Sequence, residues 1–180
     1  IVVNKNLEYV TIIFNNERYI LAKELVEKVF SNLGEFTVEA TYKGSDLIGE
    51  KYKPVFDYFN NETELSKFPN RENIWKVWHA DFVDVSMGTG IAHEAPPFGE
   101  DDYSLSLENN VPGIIHVGMD GRFYSAVTDF AGERVKWKGE TMATDKKICE
   151  FLEARGKVLK TEIINHSYPL CWRCDTPLLN

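Results

Sequence analysis

Cysteine is scarce in this chain: there are three among 180 residues, and they form no even, regularly spaced framework. A small disulfide-stapled fold is thereby excluded, and a reducing compartment, the cytoplasm, is the expected location. Long apolar runs are missing too, so no segment reads as a membrane-spanning helix. No internal repeat, low-complexity segment or signal peptide is recognisable. The chain opens on Ile1 rather than Met, inside an apolar run, and reads as a domain cut from a longer protein. Basic residues are outweighed: 20 Lys and Arg face 28 Asp and Glu, for a net charge of −8. That balance argues against tight, non-specific binding of nucleic acid through its phosphates. Lys136, Lys138, Lys146 and Lys147 leave a local basic surface open, although such a group is more commonly an ordinary solvated face.

Several familiar motifs are absent as well. The run G-T-G-I-A-H puts His93 where a dinucleotide fingerprint carries Gly or Ala, and no phosphate-loop lysine comes after it. His93-Glu94 has no second His at zincin spacing. No G-x-S-x-G nucleophile elbow occurs.

The residues that are present suffice for one folded domain. Hydrophobic residues make up 43% and aromatics 13% of the chain, enough for a real core. Residues 1–3, 9–14, 18–21 and 36–42 read as strands, with Asn15-Asn16 as a hairpin turn. Leu25, Val26, Val29 and Phe30 recur at helical spacing within 22–33, with Gly34 as the stop. Residues 60–73 read as a polar surface loop. The segment 74–85 reads as one or two strands, 114–117 as a short buried strand, 119–122 as a turn and 158–164 as a strand. A helix is expected over 101–109 and an amphipathic one over 144–155, stopped by Gly156. The sum is an α+β domain with more strand than helix and no regular βαβ alternation.

Chemistry concentrates in residues 88–103, G-T-G-I-A-H-E-A-P-P-F-G-E-D-D-Y. Gly88 and Gly90 permit backbone geometry that a side chain forbids, and Pro96-Pro97 stiffens the loop. Rigid loops on a scaffold are where binding residues gather, and His93 and Asp102 are the candidates. A carboxylate at the helix start is favoured by the dipole, and Glu100, Asp101 and Asp102 suit that place equally well. The second informative stretch is 166–177, H-S-Y-P-L-C-W-R-C-D-T-P. Cys171 and Cys174 make a C-x-x-C, a common half of a zinc site, or else two free thiols. Cys149 has no partner cysteine, and His166 would be a third ligand with no fourth in view. A redox role is disfavoured because no thioredoxin-like βαβ pattern surrounds the pair.

Together these segments resemble isoleucyl-tRNA synthetase, and more narrowly the editing domain inserted into its catalytic domain. Residues 88–103 match the family's editing-site signature. Residues 47–59 (L-I-G-E-K-Y-K-P-V-F-D-Y-F) match a further family block. H-S-Y-P-L-C-W-R-C-D-T-P-L matches the return into the synthetase body. Valyl and leucyl enzymes share the glycine turn, and His93 favours the isoleucyl enzyme. The resemblance implies a strand-rich, β-barrel-like core with flanking helices. It divides the chain into an editing domain, 1–164, and a return segment with the C-x-x-C half-site, 165–180. It also implies a threonine-rich peptide just upstream of Ile1, forming one pocket wall in the family.

The resemblance further implies a reaction. One methylene separates isoleucine from valine by only about 1–3 kcal/mol in a hydrophobic pocket, a known limit for isoleucyl enzymes and not a deduction from this chain. A second, smaller pocket hydrolyses valine from mischarged tRNA(Ile), with valyl-adenylate as a further candidate substrate. By the family match Asp102 anchors the substrate α-ammonium. His93 lines the pocket and positions water, and Gly88, Thr89 and Gly90 form its floor. Editing needs no cofactor; ATP binding belongs to the full-length ligase. The resemblance completes a zinc site with cysteines elsewhere, so Cys171 and Cys174 are half a site and no metal is expected in this chain alone. Expected partners are the 3′ end of tRNA(Ile) carrying valine and the rest of the synthetase, with no membrane, and the isolated chain is expected to be a monomer. The competing expectation is a non-catalytic, tRNA-docking or structural insert.

Overall fold

A computed structural model describes residues 1–163 and 167–179. Asn15 and Asn16 both take left-handed backbone, φ 49° and 63°, the conformation a two-residue hairpin turn favours. They join β2 (Glu8–Phe14) to β3 (Glu17–Ala22), which pair antiparallel from Tyr9↔Ala22 to Phe14↔Glu17. β4 (Thr37–Lys43) adds to the other edge of β2, with a register shift between Thr11 and Ile12.

The stretch over 22–33 winds as a 3-10 turn, Lys23–Leu25, and a five-residue helix, α1 (Val26–Phe30). Its apolar positions Leu25, Val26, Val29 and Phe30 are all buried, as their spacing requires. Phe30 packs edge-on against Phe14 at 5.4 Å and Tyr19 at 5.9 Å, which closes this face of the sheet.

The second sheet is small. β1 (Val2–Val3) is its central strand, parallel to β5 (Trp78–His79) and antiparallel to β6 (Ile91–Ala92). Val2 and Val3 are both 1% exposed, so two residues suffice to anchor the strand. Between β4 and β5 lies the short helix α2 (Glu62–Leu65). Beyond β6, Leu105 of α3 (Glu100–Glu108) packs on the cluster of Val2, Ala80 and Val83. The last helix, α4 (Ala143–Glu153), presents Phe151 to Phe130 at 5.2 Å, and Phe56 stacks on Tyr58 beside them.

Several expectations are corrected. The two three-stranded sheets do not close on each other, so a β-barrel is not formed by the described residues. Helix and strand hold similar shares; the domain is α+β but not strand-rich. Within 74–85 only Trp78–His79 is strand. The reason is local: the Asn4 side-chain amide donates to the carbonyls of Asp81 and Val83, and Asp84 accepts the Ser86 N–H, replacing a ladder. Residues 114–117 alternate in pattern but find no partner strand apart from an isolated Val117–Phe123 bridge, and Ile115 is exposed. No strand forms over 158–163; Ile164 lies outside the described residues. The loop expected over 60–73 contains α2, capped by Asn61, whose side chain accepts the Glu64 N–H at 2.9 Å. No helix among the described residues is long and apolar enough to cross a membrane.

Candidate active site

The glycine turn is built against the larger sheet. Gly90 has φ +69°, and a Cβ there would stand 2.4 Å from the Ala22 Cβ, so neither its backbone nor its surroundings admit a side chain. Thr89 O accepts the Ala22 N–H at 2.8 Å, and the buried Tyr9 hydroxyl donates to Gly90 O at 2.7 Å. From this clamp the chain enters β6 and then presents His93 and Glu94.

Both residues line a cavity of about 340 Å³. Its walls are mostly apolar, with Val2, Tyr52, Phe56, Trp78, Phe123 and Phe130 among them. Asp102 reaches the same cavity from the first turn of α3, where the helix dipole favours a carboxylate. Its Oδ1 accepts the Ala95 N–H. Its Oδ2 lies 2.2 Å from where a Cβ on Gly99 would stand, so the carboxylate occupies the space that glycine leaves.

The electrostatics of the three side chains differ. His93 keeps an exposed edge, yet the protein around its ring desolvates the charged form. Desolvation, and secondarily the Ile1 ammonium, lowers its pKa below the ordinary 6.5, against the pull of Asp102. Glu94 is pushed up to about 7 from 4.5, first by burial and then by the charge and hydrogen bond of Asp102, with Asp101 adding and the Ile1 ammonium opposing.

The structure thus brings His93 and Asp102 to one cavity and places Gly88, Thr89 and Gly90 outside its lining, with Thr89 and Gly90 docked on β3 instead. Glu94 and Trp75 are among the cavity residues that escaped the sequence reading. Glu94 carried no signal beyond its place next to His93. Trp75 holds a left-handed φ of 57°, costly for a bulky residue, and packs edge-on with Tyr52 at 6.0 Å; no sequence pattern announces that. The C-x-x-C forms a tight turn: Cys171 N–H donates to Thr176 O and Asp175 N–H to Cys171 O, both at 2.9 Å. Hydrogen bonds from Thr176, then from Cys171, hold the Cys174 thiol below its ordinary pKa of 9.0, which suits a metal-binding thiolate. Two cysteines at this spacing fit half a tetrahedral set. Among the described residues no cluster of three or more His, Cys, Asp and Glu is placed to hold a metal, and His166 lies outside them.

No family model matches the chain. Individual relatives do. The isoleucine--tRNA ligase of Clostridium tetani is 39% identical over 177 residues, covering 98% of this chain and 15% of that protein. That of Clostridium novyi is 40% identical with the same coverage. That of Tetrahymena thermophila is 37% identical over 186 residues, covering 99% of this chain and 16% of its own. The chain therefore spans about 15% of the length of the curated relatives it matches. The crystal structure of GlLeuRS-CP1 superposes with a TM-score of 0.55 at 15% identity, covering 91% of this chain and 78% of that one, a likeness of fold alone. The chain belongs with the isoleucine--tRNA ligases, as a relative of one segment of them, and carries that segment in the fold of GlLeuRS-CP1.

Proposed function

We propose that this chain is the editing insert of an isoleucine--tRNA ligase and hydrolyses the ester joining valine to mischarged tRNA(Ile). The observation that carries this reading is the convergence of His93 and Asp102, from different elements, on one largely apolar cavity. An apolar cavity with a few placed polar groups is how a small aliphatic side chain is received. Asp102, held by the Ala95 N–H, offers its remaining acceptor capacity to the substrate α-ammonium as a charge-assisted bond. His93 stands at the wall as a rigid limit on side-chain size. Water attacks the ester carbonyl carbon, the bond to the ribose oxygen breaks, and valine and tRNA with a free hydroxyl are released.

Residues 1–164 make up the editing unit in this reading, and 165–180 return the chain toward the synthetase body. Ile1 lines the cavity, so a peptide joined ahead of it enters at that wall. Valyl-adenylate is a second candidate substrate for the same pocket. Cys171 and Cys174 supply two ligands to a zinc site completed elsewhere in the longer enzyme, and editing itself uses no cofactor. The partners are the 3′ end of tRNA(Ile) and the rest of the ligase, in the cytoplasm.

Deacylation of valyl-tRNA(Ile) by the full-length enzyme tests the reading. Release of valine well above the spontaneous rate is expected. A rate equal to the spontaneous one, in an enzyme that still activates isoleucine, would leave a docking or structural insert in its place.

A further inference from the structure

Four acids stand near the start of α3 or face it, but only two line the cavity, Glu94 and Asp102. Their commitments differ. Asp102 is tied to the Ala95 N–H, fitted over Gly99 and fixed by the first turn of the helix. It is built to hold still, as an anchor must. Glu94 sits directly after His93 and lines the same cavity as Asp102, near enough for the two carboxyls to interact. Two neighbouring carboxyls against an apolar wall do not readily ionise together, so the Glu94 carboxyl favours its protonated form.

We propose that Glu94 is the base that takes the proton of the attacking water, a role resting on the reading of this cavity as an ester-hydrolysing site. Connectivity sets the chemistry. In an α-aminoacyl ester the carbonyl carbon is two bonds from the amino nitrogen. When the ammonium sits on Asp102, a carboxyl neighbouring Asp102 in the same cavity stands beside that carbonyl. The arriving cation also favours the ionised form of Glu94, so that a carboxylate is present at the moment a base is needed. Glu94 then accepts a proton from water as the water oxygen bonds to the carbonyl carbon. On collapse of the tetrahedral intermediate the carbon–oxygen bond to ribose breaks, and Glu94 returns the proton to the ribose oxygen. The valine carboxyl formed ionises to solvent.

The charged groups facing Glu94 in the full-length enzyme are Asp102 and Asp101 from α3, with His93 beside it. Burial, and after it the Asp102 carboxylate, raises the proton affinity of Glu94 toward neutrality, where a general base works best. His93 is thereby released to serve as wall.

The test is single-turnover deacylation of valyl-tRNA(Ile) by the full-length enzyme across neutral pH, in wild type, E94Q and E94D. Wild type should show a rate rising along an acid limb. E94Q, which keeps the contact with Asp102 but cannot ionise, should lose about a hundredfold or more in rate, lose the acid limb, and keep KM near wild type. E94D should be slower than wild type with the limb retained, and it decides the matter should E94Q fail to fold. E94Q with a near wild-type rate and the same limb overturns the assignment, as does an E94Q effect confined to KM or an E94D profile without the limb. Wild type that fails to deacylate at all sinks the ester-hydrolysis reading itself, a different outcome from active wild type with an unaffected E94Q.

Discussion

The Asp102 carboxylate reaches back seven residues to accept the backbone N–H of Ala95. That bond spans Pro96 and Pro97, which have no N–H of their own to offer, and ties the start of α3 to the exit from β6. It holds His93, Glu94 and Asp102 in one constellation although they come from different elements.

Asp102→Ala should nearly abolish editing in the full-length enzyme and leave isoleucine activation intact. Loss of one charge-assisted hydrogen bond to substrate is worth about 1.5–3 kcal/mol, roughly ten- to a hundredfold in rate. The freed Ala95 N–H adds a loss of order 1 kcal/mol in stability. Parallel assays of valyl-tRNA(Ile) deacylation and isoleucine-dependent pyrophosphate exchange check both. If Asp101→Ala proves the damaging change and Asp102→Ala is silent, the anchor is misassigned.

His93→Ala should open the sieve. Valine and isoleucine differ by one methylene, and only a wall that cannot retreat excludes it. The imidazole comes directly after a strand whose backbone is clamped by Gly90 on Ala22, the support such a wall would need. The variant is expected to begin hydrolysing correctly charged isoleucyl-tRNA(Ile). Side-by-side deacylation of the two esters decides: an equal fall in both rates, with isoleucine still refused, removes the sieve role.

Gly90→Ala should destabilise the domain. The left-handed φ costs about 1–2 kcal/mol for an L-residue. The clash with the Ala22 Cβ, at 2.4 Å, adds overpacking of roughly 1–3 kcal/mol. Adding Ala22→Gly should restore the steric part and leave the backbone part. Urea unfolding midpoints of the single and double variants measure this, and a single variant indistinguishable from wild type contradicts it.

Stability should fall as pH rises from about 4.5 to about 7, in the part carried by Glu94. Its folded pKa is raised above its unfolded value of 4.5 to about 7. The folded state therefore binds more protons than the unfolded state in that window, and stability present below it is lost through it. Melting temperatures measured over this range should show a steeper decline in wild type than in Glu94→Gln. Parallel curves for the two proteins would falsify the assignment.

Much of the larger sheet was legible because its information is local. An Asn-Asn turn between alternating apolar runs specifies a hairpin, and the 3.6-residue spacing of Leu25, Val26, Val29 and Phe30 specifies which face is buried. The strands expected over the rest of 74–85, over 114–117 and over 158–163 were not found among the described residues for a common reason. Alternation marks a segment that can be extended, but a strand exists only where another strand meets its hydrogen bonds. At 81–83 the Asn4 side chain took that place, and a separation of 77 residues along the chain hides it from sequence.

By itself the sequence determined that this is an α+β chain without a disulfide framework, and it singled out residues 88–103 as the stretch where chemistry is expected, with His93 and Asp102 as candidates. Composition, spacing and motif identity are properties of the chain read in order, and they suffice for such statements. The tertiary structure alone decided that the glycine turn faces Ala22 and Tyr9 rather than the cavity, and that the sheets stay open. It alone also set Glu94 against Asp102 in apolar surroundings. Proton affinity depends on the charges and solvent around a carboxyl, and these are contributed by residues distant in sequence, so no reading of neighbours along the chain discloses it.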